Sequence, residues 1–139
     1  MCGSVARTLT KSSFNCLNKG INTVTYSAKD VNGNITTASL TITVLDTIYP
    51  TLSLKVATLY LDKFGSAKLN KMDIDNGSYD NCNIDSMKLS DTLFNCNQTG
   101  VNVVTVKAYD PSMNITTATV KVTVLDTIKP VLQVQNHTI

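Results

Sequence analysis

The chain contains no glutamate and no tryptophan, only three prolines, and one histidine, His137, near its end. These gaps exclude a good deal. With a single His, no Ser in a nucleophile elbow and no Gly-rich phosphate loop, acyl transfer, metal-assisted hydrolysis and nucleotide chemistry all lack their residues. The expectation is a non-enzyme. Asp73 and Asp75 resemble a carboxylate pair for glycoside hydrolysis only in their proximity. Two carboxylates in one turn read as solvated or metal-binding groups. No apolar run approaches the ~18 residues of a membrane span, and Met1-Cys2-Gly3 does not open a secretory signal. Any export signal or anchor is therefore expected outside these residues, with no membrane insertion by this stretch. The formal charge of +2, spread over scattered lysines, gives no footprint for nucleic acid.

What is present is Thr, Asn, Val, Ser and Asp in abundance, a composition that favours strands and turns over helices. It is also repetitive. Phe14-Asn15-Cys16 returns as Phe94-Asn95-Cys96, and Leu45-Asp46-Thr47-Ile48 returns as Leu125-Asp126-Thr127-Ile128, an offset of 80 residues. Between Phe14 and Leu52, 22 of 39 positions match their partners in Phe94 to Leu132, and Cys2 matches Cys82. A period this long suits a small domain better than a solenoid turn. The expected organisation is residues 1–48 as the C-terminal part of one repeat, 49–128 as a complete repeat, and 129–139 as the first strand of the next. The chain then reads as a piece of a longer array.

The strand signal is strongest late in each repeat. Val104, Val106 and Ala108 alternate with Thr105, Lys107 and Tyr109, and Ala118, Val120, Val122 and Val124 alternate with Thr117, Thr119, Lys121 and Thr123. Asp110-Pro111-Ser112-Met113-Asn114 joins the two as a turn, matching Asp30-Val31-Asn32-Gly33-Asn34. Earlier, Leu52, Leu54 and Val56 alternate with Thr51, Ser53 and Lys55. Leu59-Tyr60-Leu61 precedes a Lys63-Phe64-Gly65 turn into Ser66 to Leu69, and another strand is expected from about Ile84 to Leu89. This pattern predicts an all-β fold of tandem immunoglobulin-like β-sandwich repeats.

A small sandwich benefits from a covalent staple. Cys2 and Cys16 bracket the same fourteen-residue step as Cys82 and Cys96, so one bridge within each repeat is the pairing that respects the repeat. Closing such a loop contributes roughly 3 kcal/mol on the chain-entropy model and points to an oxidising compartment. The alternative is two pairs of reduced, buried cysteines. A zinc site lacks a ligand pattern.

The run Gly100 to Asp110, followed by Asn114 and by Val120 to Pro130, resembles hyalin-repeat and related bacterial immunoglobulin-like modules. Asp73-Ile74-Asp75-Asn76-Gly77-Ser78-Tyr79-Asp80-Asn81-Cys82 is similar, more narrowly, to modules of the very large secreted surface adhesins of Bacteroidetes, including the SprB-like gliding-motility adhesins. One departure matters: hyalin repeats place a cysteine in the last long strand, where this chain has Thr117-Ala118-Thr119. The resemblance implies an extracellular, cell-surface stalk of stacked modules that carries load and presents a binding tip for attachment or gliding. Its partners would be neighbouring repeats of the same polypeptide, with surface polysaccharide or other adhesin subunits beyond. It also implies O-glycosylation at Asp followed by Ser or Thr and an apolar residue, which marks Thr47, Thr127, Thr92 and Ser86. The Asn-x-Ser/Thr sequons at Asn34, Asn76, Asn97, Asn114 and Asn136 read as strand and turn composition.

Calcium is the one cofactor the residues suggest, and none is required. Asp73, Asp75 and Asp80 share a short stretch, Asp110 lies in a turn, and Asp126 lies at the junction Asp126-Thr127-Ile128-Lys129-Pro130, all hard oxygen donors. The same residue types also satisfy local turn backbone. Two further functions stay open. A carbohydrate- or surface-ligand-binding module would use Tyr60, Tyr79 and Tyr109. A filament subunit would donate Lys129 to Ile139 as an added strand.

Overall fold

The computed structural model describes Gly3 and residues 5–139, and the fold is all-β. The chain divides into two compact units, Met1–Ile48 and Tyr49–Ile139.

The first unit is a three-stranded antiparallel sheet in the order β1-β2-β3, built from β1 (Ala6–Leu9), β2 (Gly20–Lys29) and β3 (Ile35–Val44). A single 3-10 turn, Cys16–Asn18, precedes β2, with the Asn15 side chain accepting a hydrogen bond from the Leu17 N–H at 3.0 Å. In the second unit β4 (Ala57–Tyr60), β9 (Ile115–Leu125), β8 (Gly100–Tyr109) and β6 (Ser86–Leu89) form a four-stranded sheet in that order. A second sheet pairs β5 (Ser66–Lys68) with β7 (Leu93–Asn95). Between β5 and β6 lies one helical turn, α1 (Lys71–Ile74).

The alternating apolar residues of β8 and β9 do what their period requires. Val104, Val106, Ala108, Val122 and Val124 are fully buried. Against them pack Leu61, Leu69, Ile74 and Phe94 from the opening half, closing one core, with Leu52, Leu54 and Met87 at its edge. The result is a two-layer sandwich, the arrangement a strand with one apolar face demands. β8 and β9 pair with the register Gly100↔Val124 through Tyr109↔Ile115, and β2 and β3 pair Gly20↔Val44 through Lys29↔Ile35, the same register displaced by 80 residues.

Two expected strands are absent. Thr51 to Val56 forms only isolated bridges, Thr51↔Tyr79 and Leu54↔Asp75, because α1 and the turn after it, instead of a neighbouring strand, face that stretch. Residues 129–139 form no strand and are exposed. The strand expected over 84–89 begins at Ser86, since Asp85 is held by one hydrogen bond from its N–H to the Tyr109 carbonyl and the chain before it turns away.

β4 pairs with β9 in parallel, Ala57↔Val122 through Tyr60↔Leu125. The first and last strands of the second unit therefore run side by side in the same direction. Chain enters at the Tyr109 end of β8 and leaves at the Gly100 end.

Candidate functional site

The Tyr109 end of the second unit gathers the polar groups of most interest. Three contacts fix the opening segment there: the Thr51 N–H to the Tyr79 carbonyl at 2.7 Å, the Tyr79 N–H to the Thr51 carbonyl at 3.0 Å, and the Thr116 hydroxyl to the Pro50 carbonyl at 2.6 Å. Asp80 follows directly, then a turn through Asn83, whose φ of 85° is the left-handed conformation Asn tolerates better than most residues.

Asp110 closes the turn between β8 and β9 and is only 1% exposed. Its Oδ1 accepts from the Ser112 and Asn114 N–H groups at 2.7 and 2.8 Å, and its Oδ2 from the Asn114 side-chain amide at 2.7 Å. The Asp80 Oδ2 accepts from the Cys82 N–H at 2.8 Å. The Asp80 Oδ1 is buried and has no hydrogen-bond partner, an exception among buried polar atoms. Carboxylate oxygens of Asp80 and Asp110 lie within 4.8 Å of one another.

Asp73, Asp75 and Asp126, expected with them, do not join this pair. Asp73 Oδ2 accepts from the Asn70 N–H at 2.7 Å at the start of α1, and Asp75 Oδ1 accepts from the Ser78 N–H at 2.9 Å. Those Ser78 hydrogen bonds, backbone first and then side chain, lower the Asp75 pKa below the ordinary carboxylate value. Asp126 lies beyond the end of β9, at the opposite pole, with its Oδ1 accepting from the Ile128 N–H at 3.0 Å. Each of the three serves local backbone.

The same turn recurs three times. Asp30, Asp62 and Asp110 each accept from two backbone N–H groups, two and four residues on, and each N–H returns to the carbonyl of the fourth residue. In the copy of the first unit the Asn34 side chain, ahead of its backbone N–H, lowers the Asp30 pKa. Sequence reasoning missed Asp62 as a member of this set; the spacing Asp62 to Gly65, matching Asp30 to Gly33, carries the signal.

The expected bridge between Cys82 and Cys96 does not form. Cys82 and Cys16 are disulfide-bonded, whereas Cys96 is a free, exposed thiol. Geometry gives the reason. Cys96 sits in the 3-10 turn Cys96–Gln98 just before Gly100, with its Sγ 3.8 Å from the Gly65 carbonyl oxygen. Cys82 lies before β6, whose Ser86 pairs with Tyr109. The 10 residues of β8 separate the two, roughly 30 Å at the strand rise, and a disulfide needs Cα atoms within about 7 Å. Cys2, and with it the expected Cys2–Cys16 bridge, lies outside the described residues.

The three tyrosines do not make one platform. Tyr60 pairs with Leu125 at one pole and Tyr109 with Ile115 at the other, with the Lys88 ammonium 5.3 Å over the Tyr109 ring. Tyr79 is 65% exposed beside Thr51. Thr47, Thr92 and Thr127 are exposed, and Ser86 is half-buried at the start of β6. Among the described residues, no helix is long and apolar enough to cross a membrane.

No protein-family model matches the chain, and no curated protein matches it.

Proposed function

We propose that this chain is a run of non-catalytic repeat modules from a long extracellular surface adhesin, a load-bearing stalk that presents a binding tip for attachment or gliding. The parallel pairing of β4 with β9 carries the reading. When a chain is pulled from its two ends, antiparallel terminal strands peel apart one hydrogen bond at a time. Parallel terminal strands are loaded in shear, and their ladder must fail together. This ladder joins the strand that enters the module to the strand that leaves it, so end-to-end tension falls on it first.

The cysteines support the same reading from another side. Their placement at opposite poles leaves no staple within the module and suits links made along a row of modules. A disulfide also fits an oxidising, extracellular setting. Stretching the full chain by its ends in a force spectrometer tests the mechanical claim. Thr58→Pro, in the middle of β4, removes a backbone donor from the ladder region and is expected to lower the unfolding force of the second unit well below that of the parent. An unchanged force would remove the shear clamp from the account. Peptide mapping of the oxidised chain tests the second support, and recovery of a Cys82–Cys96 peptide would undo it.

A further inference from the structure

We propose that the exposed Cys96 thiol is one half of an intermolecular disulfide, and that its partner is Cys2 of a second copy of this chain. The inference rests on the reading of the chain as a row of modules, and the repeat supplies its own comparison. Cys16 is the counterpart of Cys96, and Cys16 is disulfide-bonded to Cys82. Displaced by one repeat, that bond runs from Cys96 to the next cysteine of the Cys82 kind. In this chain the counterpart of Cys82 is Cys2. Within its own unit Cys96 has no such partner, because Cys82 lies at the other pole and is already bonded.

The turns at both ends of this bond are repeated. The caps before Cys16 and Cys96 have nearly the same backbone, φ −137° and ψ −172° at Asn15 against φ −136° and ψ −176° at Asn95. In each, the cap side chain accepts from the N–H two residues on, Leu17 at 3.0 Å and Asn97 at 2.9 Å. The cap N–H in turn donates to the side chain three residues on, Asn18 at 3.2 Å and Gln98 at 3.1 Å. One local structure therefore presents both thiols. The junction that follows is shared too, with the Asp46 and Asp126 Oδ1 atoms accepting from the Ile48 and Ile128 N–H groups. On the receiving side, the residue after each cysteine is left-handed, Gly3 with φ +93° and Asn83 with φ +85°. What differs is the state of the sulfur. Cys16 is half-buried in its bond, whereas Cys96 is exposed on a cleft of about 500 Å³ lined by Phe64, Gly65, Asp126 and Pro130.

Forming the bond needs an oxidant, and a small-molecule disulfide such as oxidised glutathione supplies it. The Cys96 thiolate attacks one glutathione sulfur and releases the other as a thiol. The Cys2 thiolate of the second copy then attacks the Cys96 sulfur and displaces the remaining glutathione. Two protein thiols are oxidised, one glutathione disulfide is reduced, and the two thiol protons pass to the departing glutathione thiolates. The test incubates an equal mixture of isotope-labelled and unlabelled full chain with oxidised glutathione, followed by non-reducing electrophoresis and disulfide peptide mapping. A ladder of dimers and longer chains is expected, with a Cys2–Cys96 peptide that pairs one labelled and one unlabelled half. Cys96→Ser and Cys2→Ser are each expected to lose the ladder while the Cys16–Cys82 peptide stays, a sign that the fold is kept. The proposal is overturned if the parent stays monomeric with Cys96 as a thiol or glutathione adduct. It is also overturned if both halves of the Cys2–Cys96 peptide always share a label, or if copies join through Cys96–Cys96. The force measurement, run in reductant, contains no such link, so the stalk reading and this one fail separately.

Discussion

Leu40 in the first unit and Val120 in the second occupy the same register, opposite Val24 and Val104, yet Leu40 is 41% exposed and Val120 only 7%. The strand pairs themselves hardly differ. Both have the five-residue Asp turn, and in both an Asn side chain two residues into the first strand reaches back, Asn22 to the Asn18 carbonyl at 2.6 Å and Asn102 to the Gln98 carbonyl at 2.7 Å. The difference lies in what covers them. In the second unit the opening half supplies Leu61, Leu69, Ile74 and Phe94 over the apolar face. The described residues of the first unit include no second sheet. Register is thus set locally, by turn chemistry and cross-strand neighbours, while burial of the apolar face beyond the one fully buried residue of the first unit, Val24, comes with the opening half. A strand pair can be correctly formed and still contribute little stability.

Phe94 and its repeat partner Phe14 offer the sharpest way to break that comparison. Phe94 is 2% exposed in the core, whereas Phe14 is half-buried with the Lys11 ammonium 5.2 Å over its ring. Phe94→Ala is expected to destabilise the second unit by about 3–5 kcal/mol, the range for a buried aromatic. Phe14→Ala should cost about 1 kcal/mol, since only part of its apolar surface leaves water. Hydrogen exchange resolves the two units: protection of the Val104 and Val106 amides should fall steeply in the first variant, while that of Val24 changes little in the second. Equal losses would mean that Phe14 is covered as well as Phe94 is.

Much of this architecture was legible in the residues. The alternation of Val104, Val106 and Ala108, and of Ala118, Val120, Val122 and Val124, specified two half-buried strands, and all of these but the half-buried Ala118 are buried. The parallel partnership of β4 and β9 was not legible, because Thr58-Leu59-Tyr60 is β-forming without any mark of its distant neighbour. Nor was α1: Asp73 hydrogen-bonds the Asn70 N–H as a helix-start residue, a role masked by reading it with Asp75 as a calcium loop. The cysteine pairing misled because a count of fourteen residues says nothing of direction, and that step carries the chain from one pole of β8 to the other. Asp80 and Asp110 were both among the candidate acids, but it is the Thr51↔Tyr79 bridge and the β6–β8 pairing that bring them together out of the larger group.

Gly65 probes the opening half itself. Its φ is +73°, and a Cβ there would stand 2.6 Å from the Cys96 Sγ. Gly65→Ala therefore meets two costs, the left-handed backbone and the clash, together about 2 kcal/mol. The comparison with Cys96→Ala separates them. In the double variant the clash is gone and the backbone cost stays, so a cycle of denaturant midpoints should return about 1 kcal/mol of coupling. Zero coupling would show that the exposed thiol swings aside without cost, leaving φ as the whole effect.

The smallest effect is expected at the fourth residue of the repeated turn, where the first unit has glycine and the second methionine. Gly33 has φ +89° and Met113 has φ +68°, the same position in the repeated turn. Glycine occupies that region without steric penalty, while a side chain pays about 1–2 kcal/mol for it. Part of the gain from removing the side chain is offset, because glycine loses more freedom on folding. Met113→Gly should therefore stabilise the second unit by only about 0.5–1 kcal/mol, and Gly33→Met should destabilise the first by a similar amount. Met113 is 73% exposed, so no packing loss opposes the change. A destabilised Met113→Gly variant would mean that the methionine makes a contribution beyond its backbone strain, and that the two turns are not equivalent after all.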